Sequence, residues 1–83
     1  TTLVKGLGSL VSDVVVDSKG RYFVAMYAHN DIAVLAPDGS ILTQLNDFGI
    51  DINGPQDLEF GPDGALYVLN EGGNSVVKIT IED

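Results

Sequence analysis

The side chains with chemistry to offer are carboxylates, amides, a few phenols and one imidazole. Asp13 and Asp57 stand 44 residues apart, each directly before an apolar stretch, Val14-Val15-Val16 and Leu58-Glu59-Phe60. Two carboxylates brought close raise each other's pKa unless a cation or a donor lies between them. Calcium or another divalent cation, which takes oxygen ligands, would suit such a pair. The plainer reading is that each Asp caps a loop by accepting backbone N–H groups. A second group consists of Asn70, Glu71 and Asn74, in a Gly-containing segment, and Tyr27, His29 and Asn30, 44 positions earlier. Loop amides, a carboxylate and an aromatic ring suit a carbohydrate or another ligand at a loop cluster. The plainer readings are a solvated turn, an Asn bonded to its own backbone and a packed Tyr. His29 is the only histidine, and with no Ser or Cys nucleophile motif it argues weakly for acid–base work. No catalytic set is assigned.

These residues recur because the chain repeats. Sliding the sequence on itself by 44 places superposes Asp13 on Asp57, Gly20 on Gly64, Val24 on Val68 and Asn30 on Asn74 without a gap. Apolar positions agree as well: Val14 with Leu58, Val16 with Phe60, Tyr22 with Leu66, Ile32 with Val76 and Leu35 with Ile79. A period of about 40–45 residues built of short strands is that of a propeller blade.

Each copy reads as strand, tight turn, strand, loop, strand. Asp17-Ser18-Lys19-Gly20 and Gly61-Pro62-Asp63-Gly64 suit type I turns with a left-handed Gly, which close short hairpins. The strands that follow, 21–26 and 65–70, are apolar on both faces and need cover on both sides. Third strands span 31–36 and 75–81, and Ala36-Pro37-Asp38-Gly39 leads to a fourth at 40–45. Residues 47–54 form a loop whose Asp47, Asp51 and Asn53 do not keep the spacing of an EF-hand. The second copy lacks a fourth strand, and Thr2-Leu3-Val4-Lys5-Gly6-Leu7-Gly8 parallels Thr43-Gln44-Leu45-Asn46-Asp47-Phe48-Gly49.

The expected fold is therefore all-β. Residues 1–83 form a single unit of two four-stranded β-propeller blades, with repeats at about 11–49 and 55–83. The unit is permuted by one strand, so that strand 1–8 completes a blade of a neighbouring chain. Propellers usually have four to eight blades. The expected assembly is a cyclic homotrimer, a six-bladed ring closed by oligomerisation head to tail. In it, Asp13 and Asp57 would line the channel as a ring of carboxylates.

Composition sets the outer bounds. With four basic and twelve acidic residues the net charge is −8, which disfavours nucleic acid and anionic membrane as partners. No cysteine is present, so disulfides and thiolate sites are excluded. A hydrophobic fraction of 45% is too high for a disordered chain. No apolar run approaches the roughly 18 residues of a membrane-spanning helix. The chain starts Thr1-Thr2 without an initiating Met, which suggests processing or excision.

The two copies resemble blades of NHL-repeat propellers and of the related lactonase-type and quinoprotein sugar dehydrogenase propellers. The residues that carry the resemblance are Pro55, Asp57-Leu58-Glu59-Phe60, Gly61-Pro62-Asp63-Gly64, Leu66-Tyr67-Val68 and Asn74-Ser75-Val76-Val77-Lys78-Ile79. The first copy departs, with Val11 in place of Pro55 and Met26-Tyr27-Ala28-His29 in place of Asn70-Glu71-Gly72-Gly73. The resemblance implies a ring used as a binding platform or, in some members, as an enzyme with a divalent cation held by carboxylates and Asn at the channel mouth. Only the expected location of a site transfers to this chain. The expectation is a non-enzymatic binding or structural module, with a carbohydrate, a cation or a protein as ligand. The alternative is a fragment of a lactonase-like or quinoprotein sugar dehydrogenase-like propeller enzyme.

Overall fold

The computed structural model describes residues 11–81. They form seven strands in two antiparallel meanders and no α-helix. The first sheet holds β1 (Val11–Val16), β2 (Tyr22–Met26), β3 (Asp31–Leu35) and β4 (Ile41–Gln44), paired in chain order. The second holds β5 (Pro55–Phe60), β6 (Leu66–Asn70) and β7 (Ser75–Ile79), again in chain order. Single 3-10 turns occupy Tyr27–His29 and Leu45–Phe48. The expected strand at 1–8 lies outside the described residues.

The hairpins close as their turn residues require. Gly20 N–H donates to Asp17 O at 3.1 Å, and Gly64 N–H to Gly61 O at 3.0 Å. Gly20 and Gly64 take φ of +78° and +81°, which L side chains rarely adopt. The Asp17 carboxylate accepts the amides of Lys19 and Arg21 at 2.9 Å each, so it holds its hairpin from inside. The turn at Ala36-Pro37-Asp38-Gly39 is built alike, with Gly39 N–H on Ala36 O.

Register also repeats. Asp13 pairs with Ala25 and Asp57 with Leu69, and in each strand a bulge falls just before the Asp. β1 runs from Val11 through this bulge to Val16.

One face of the first sheet packs on one face of the second. Phe23, Ala25, Ile32 and Val34 meet Leu58, Leu66, Val68 and Ile79, and the loop residues Leu45 and Ile52 fill in between them. Phe23 and Phe60 cross edge to face at 5.6 Å between ring centroids. Burying a side chain of this size contributes about 1.5–3 kcal/mol, so this layer holds most of the apolar stabilisation. The opposite face of the first sheet carries a second buried group of Val24, Met26, Ala33 and Leu35.

The strand after each first hairpin was expected to be covered on both faces. In the first sheet β2 is: Phe23, Val24, Ala25 and Met26 are all buried. In the second sheet β6 is covered on one face only. Leu66 and Val68 are buried against the first sheet, while Leu69 on the far face is 43% exposed and Val76 beside it 64%. Among the described residues nothing packs on that face of the second sheet.

Candidate functional site

Antiparallel pairing brings the candidate residues to one end of the two sheets. Val11 pairs with Met26 and Pro55 with Asn70, so the starts of β1 and β5 lie beside the loops that follow β2 and β6. Asp13, Asp57, Tyr27, His29, Asn30, Asn70, Glu71 and Asn74 share that rim.

Asp13 bridges the sheets. Its Oδ2 accepts the N–H of Leu58 at 2.8 Å and its Oδ1 accepts the N–H of Val14 at 2.8 Å. Burial pushes its carboxyl up, but the Leu58 amide, a hydrogen bond shared with the Asp57 carboxyl and the Val14 amide outweigh this and hold it below the usual carboxylate value. The same pairing acts in reverse on exposed Asp57. Its hydrogen bond with Asp13 and the Asp13 charge raise its carboxyl above the ordinary value. Asp13 is thus the better stabilised anion of the two, and Asp57 is the more readily protonated. Among the described residues no three His, Cys, Asp or Glu side chains converge as a metal site would need.

Asn70 is buried and occupied. Its amide nitrogen donates to Asp51 O at 2.7 Å and its Oδ1 accepts the N–H of Asn53 at 3.1 Å. Asn30 Oδ1 accepts the N–H of Gly54 at 2.8 Å. These two amides, one from each sheet, pin the 51–54 loop into the groove between the sheets. Asn30 and Asn74 also share a left-handed backbone, with φ of +53° and +51°. Their N–H groups close the preceding turns on Tyr27 O and Glu71 O. Asn tolerates this conformation better than most residues, which accounts for its recurrence in both copies.

Tyr27 and Glu71 face outward and touch across the sheets, Tyr27 Oη donating to Glu71 Oε1 at 2.9 Å. That bond and the Glu71 charge push the phenol pKa up. His29 sits in the same 3-10 turn as Tyr27. The exposed part of the rim is thus an aromatic ring beside a carboxylate, with the amides behind it engaged by backbone.

Two structural residues carried no signal in the sequence. Ser12 Oγ donates to Pro55 O at 2.6 Å across the sheets. Buried Asp31 accepts the amides of Ile32 and Asn46, at 2.8 and 2.9 Å, and so ties β3 to the turn after β4. Ser and Asp at strand ends are common, and only the fold shows which backbone they reach. The larger clefts open at the other end of the sheets. One of about 450 Å³ lies between the hairpin tips at Asp17 and Asp63, and one of about 480 Å³ runs along Phe23, Val34, Ile50 and Ile79.

Comparison of the chain with protein-family models and with curated proteins found no match.

Proposed function

We propose that the chain is a non-enzymatic binding or structural module, two blades of an NHL-type β-propeller whose ring is closed by further copies. One observation carries this reading. Two meanders of the same register, 44 residues apart, stack face to face through their first strands, and the far face of the second is open. A stack of repeats that bury their faces on one another gains stability by adding repeats until the ends are covered or the ring closes. A cyclic trimer closes two-blade units into a six-bladed ring. In this reading the half-buried ring of Tyr27 and the exposed carboxylate of Glu71 present a carbohydrate with a stacking surface and an acceptor. Among the described residues the pair Asp13 and Asp57 supplies two carboxylates, and a cation there would need further ligands from other copies.

The test is native mass spectrometry of the purified chain, followed by calcium and glycan titrations read by calorimetry. Three chains per particle, with sugar binding that Tyr27→Ala abolishes, is the expected result. A monomer at all concentrations refutes the ring. A metal-dependent hydrolase activity refutes the non-enzymatic reading and favours a lactonase-like enzyme instead.

A further inference from the structure

We propose that the open face of the second sheet docks on β1 of a second copy of this chain, and that Asp57 accepts the backbone N–H of Val14 in that copy. The inference rests on the ring reading above and adds to it the contact surface and its central hydrogen bond.

The argument uses the one sheet-to-sheet contact that the chain already contains. The face of the first sheet that carries Asp13, Val15, Phe23, Ala25, Ile32 and Val34 lies on the face of the second that carries Leu58, Phe60, Leu66, Val68 and Ile79. Moving each partner on by one repeat gives the next contact. Asp57, Tyr67, Leu69 and Val76 take the places of Asp13, Phe23, Ala25 and Ile32. Val14 and Val16 of the second copy take the places of Leu58 and Phe60.

The second sheet is open over this face, and the first sheet is open along β1. Leu69 and Val76 are 43% and 64% exposed, whereas their equivalents Ala25 and Ile32 are fully buried. A shallow concavity of about 180 Å³ lies on this face, lined by Asp57, Glu59, Tyr67, Leu69 and Val76 with Leu58. On the first sheet Val14 and Val16 are 49% and 51% exposed, while Val24 and Leu35 behind them are buried. The contact therefore falls along β1, the strand at which the two sheets of one chain also approach each other most closely. Glu59 and Lys78 stand where Val15 and Val34 stand in the first copy, so this junction has a more charged border than the internal one.

The polar contacts repeat in the same way. Asp13 bonds the amide of its own neighbour Val14 and, across the sheets, that of Leu58. Asp57 is the equivalent acceptor, and it is exposed in the single chain. The bond across the sheets falls, one repeat on, at Val14 of the second copy. Ser12 Oγ donates to Pro55 O, and the equivalent Gln56 then faces the carbonyl of Val11 of the second copy.

The experiment combines a concentration series by sedimentation velocity with cross-linking of two single-cysteine variants. Val16→Cys and Tyr67→Cys, placed as Phe60 and Phe23 are in the internal contact, are mixed with one of them isotopically labelled and treated with a short bis-maleimide. The expected result is a self-associating parent and a predominance of the mixed Val16→Cys/Tyr67→Cys pair over either like pair. Leu69→Arg is expected to be monomeric with an unchanged far-ultraviolet spectrum. Asp57→Ala, at an exposed site that folding does not need, is expected to associate about tenfold more weakly, the loss of one charged hydrogen bond. Asp57→Asn keeps an acceptor and stays near the parent. A parent that associates equally well as Leu69→Arg and Asp57→Ala, with random cross-links, overturns this surface and leaves a ring of other geometry. A parent that stays monomeric overturns both the surface and the ring.

Discussion

Replacing Asn70 separates a structural amide from a ligand-binding one. Asn70 is fully buried, and it satisfies the carbonyl of Asp51 and the N–H of Asn53 at the same time. Asn70→Ala leaves both groups without partners at a site that water reaches poorly, at about 1–3 kcal/mol each. Both lie in a half-exposed loop, so the lower half of that range applies and the sum is about 2–4 kcal/mol. A chain of 83 residues has roughly 4–12 kcal/mol in total. The variant should therefore melt about 10–25 °C lower, at about 4–8 °C per kcal/mol for a domain of this size. Asn70→Asp refines the test. The new carboxylate still accepts the Asn53 N–H, but it sets a negative charge against the Asp51 carbonyl in a buried place. Its folded pKa is raised above the unfolded value, so its destabilisation is large at neutral pH and shrinks as the acid is protonated. Urea unfolding of both variants, at pH 7 and at about pH 4, reads these differences through the midpoint at constant slope. An Asn70→Ala protein that melts within a degree or two of the parent refutes the reasoning and returns Asn70 to the ligand-binding candidates.

Asp13→Ala should lose about 1–3 kcal/mol at pH 7, because the Leu58 amide loses its acceptor between the sheets. Asp13 has a lowered folded pKa, so its contribution is present above the unfolded value and is lost as pH falls through the folded one; urea midpoints of variant and parent should converge in strong acid. Asp57 is the opposite case. Its raised pKa means that any stability from the shared proton is present below the unfolded value and gone once pH rises through the folded one, so Asp57→Asn should be at least as stable as the parent at pH 7 by the same assay. Gly54→Ala should lower the melting temperature in a thermal scan by the equivalent of about 1–2 kcal/mol or more, since Gly54 has φ of +61° and a Cβ would sit 2.9 Å from Gly72 N. Phe23→Ala removes the edge-to-face partner of Phe60 and about 3–5 kcal/mol, which should lower the melting temperature more than Asn70→Ala does, read by circular dichroism.

The strands were legible because an antiparallel meander has local signals at every step. Gly20, Gly39 and Gly64 mark the hairpins, and the apolar runs between them alternate or fill as their burial demands. Register could be read from the superposition of Asp13 on Asp57, since both Asp residues follow the same bulge. Val11 and Ser12 lie beyond the bulge, where the side-chain alternation slips by one. The rim residues were found, but their roles could not be separated by type. Asn30, Asn70 and Asn74 look alike in sequence. Only coordinates show that Asn70 and Asn30 hold the 51–54 loop and that the backbone of Asn74 needs a left-handed residue. Cover on the second sheet could not be read either. Tyr67 and Leu69 are as apolar as Phe23 and Ala25, and burial depends on what stands beside them.

That last point explains why equivalent residues behave as opposites. Asp13 and Asp57 occupy the same position of the same repeat, each just after a bulge. What differs is the next strand. Asp13 has β5 beside it and uses its second oxygen on the Leu58 amide, so its anion is stabilised. Asp57 has no further strand among the described residues and turns to Asp13, which raises its pKa. The same contrast separates buried Ile32 from exposed Val76 and buried Ala25 from exposed Leu69. The raised carboxyl of Asp57 and the exposed pair Leu69 and Val76 lie on one sheet face, and under the ring proposed above a neighbouring copy would cover that face.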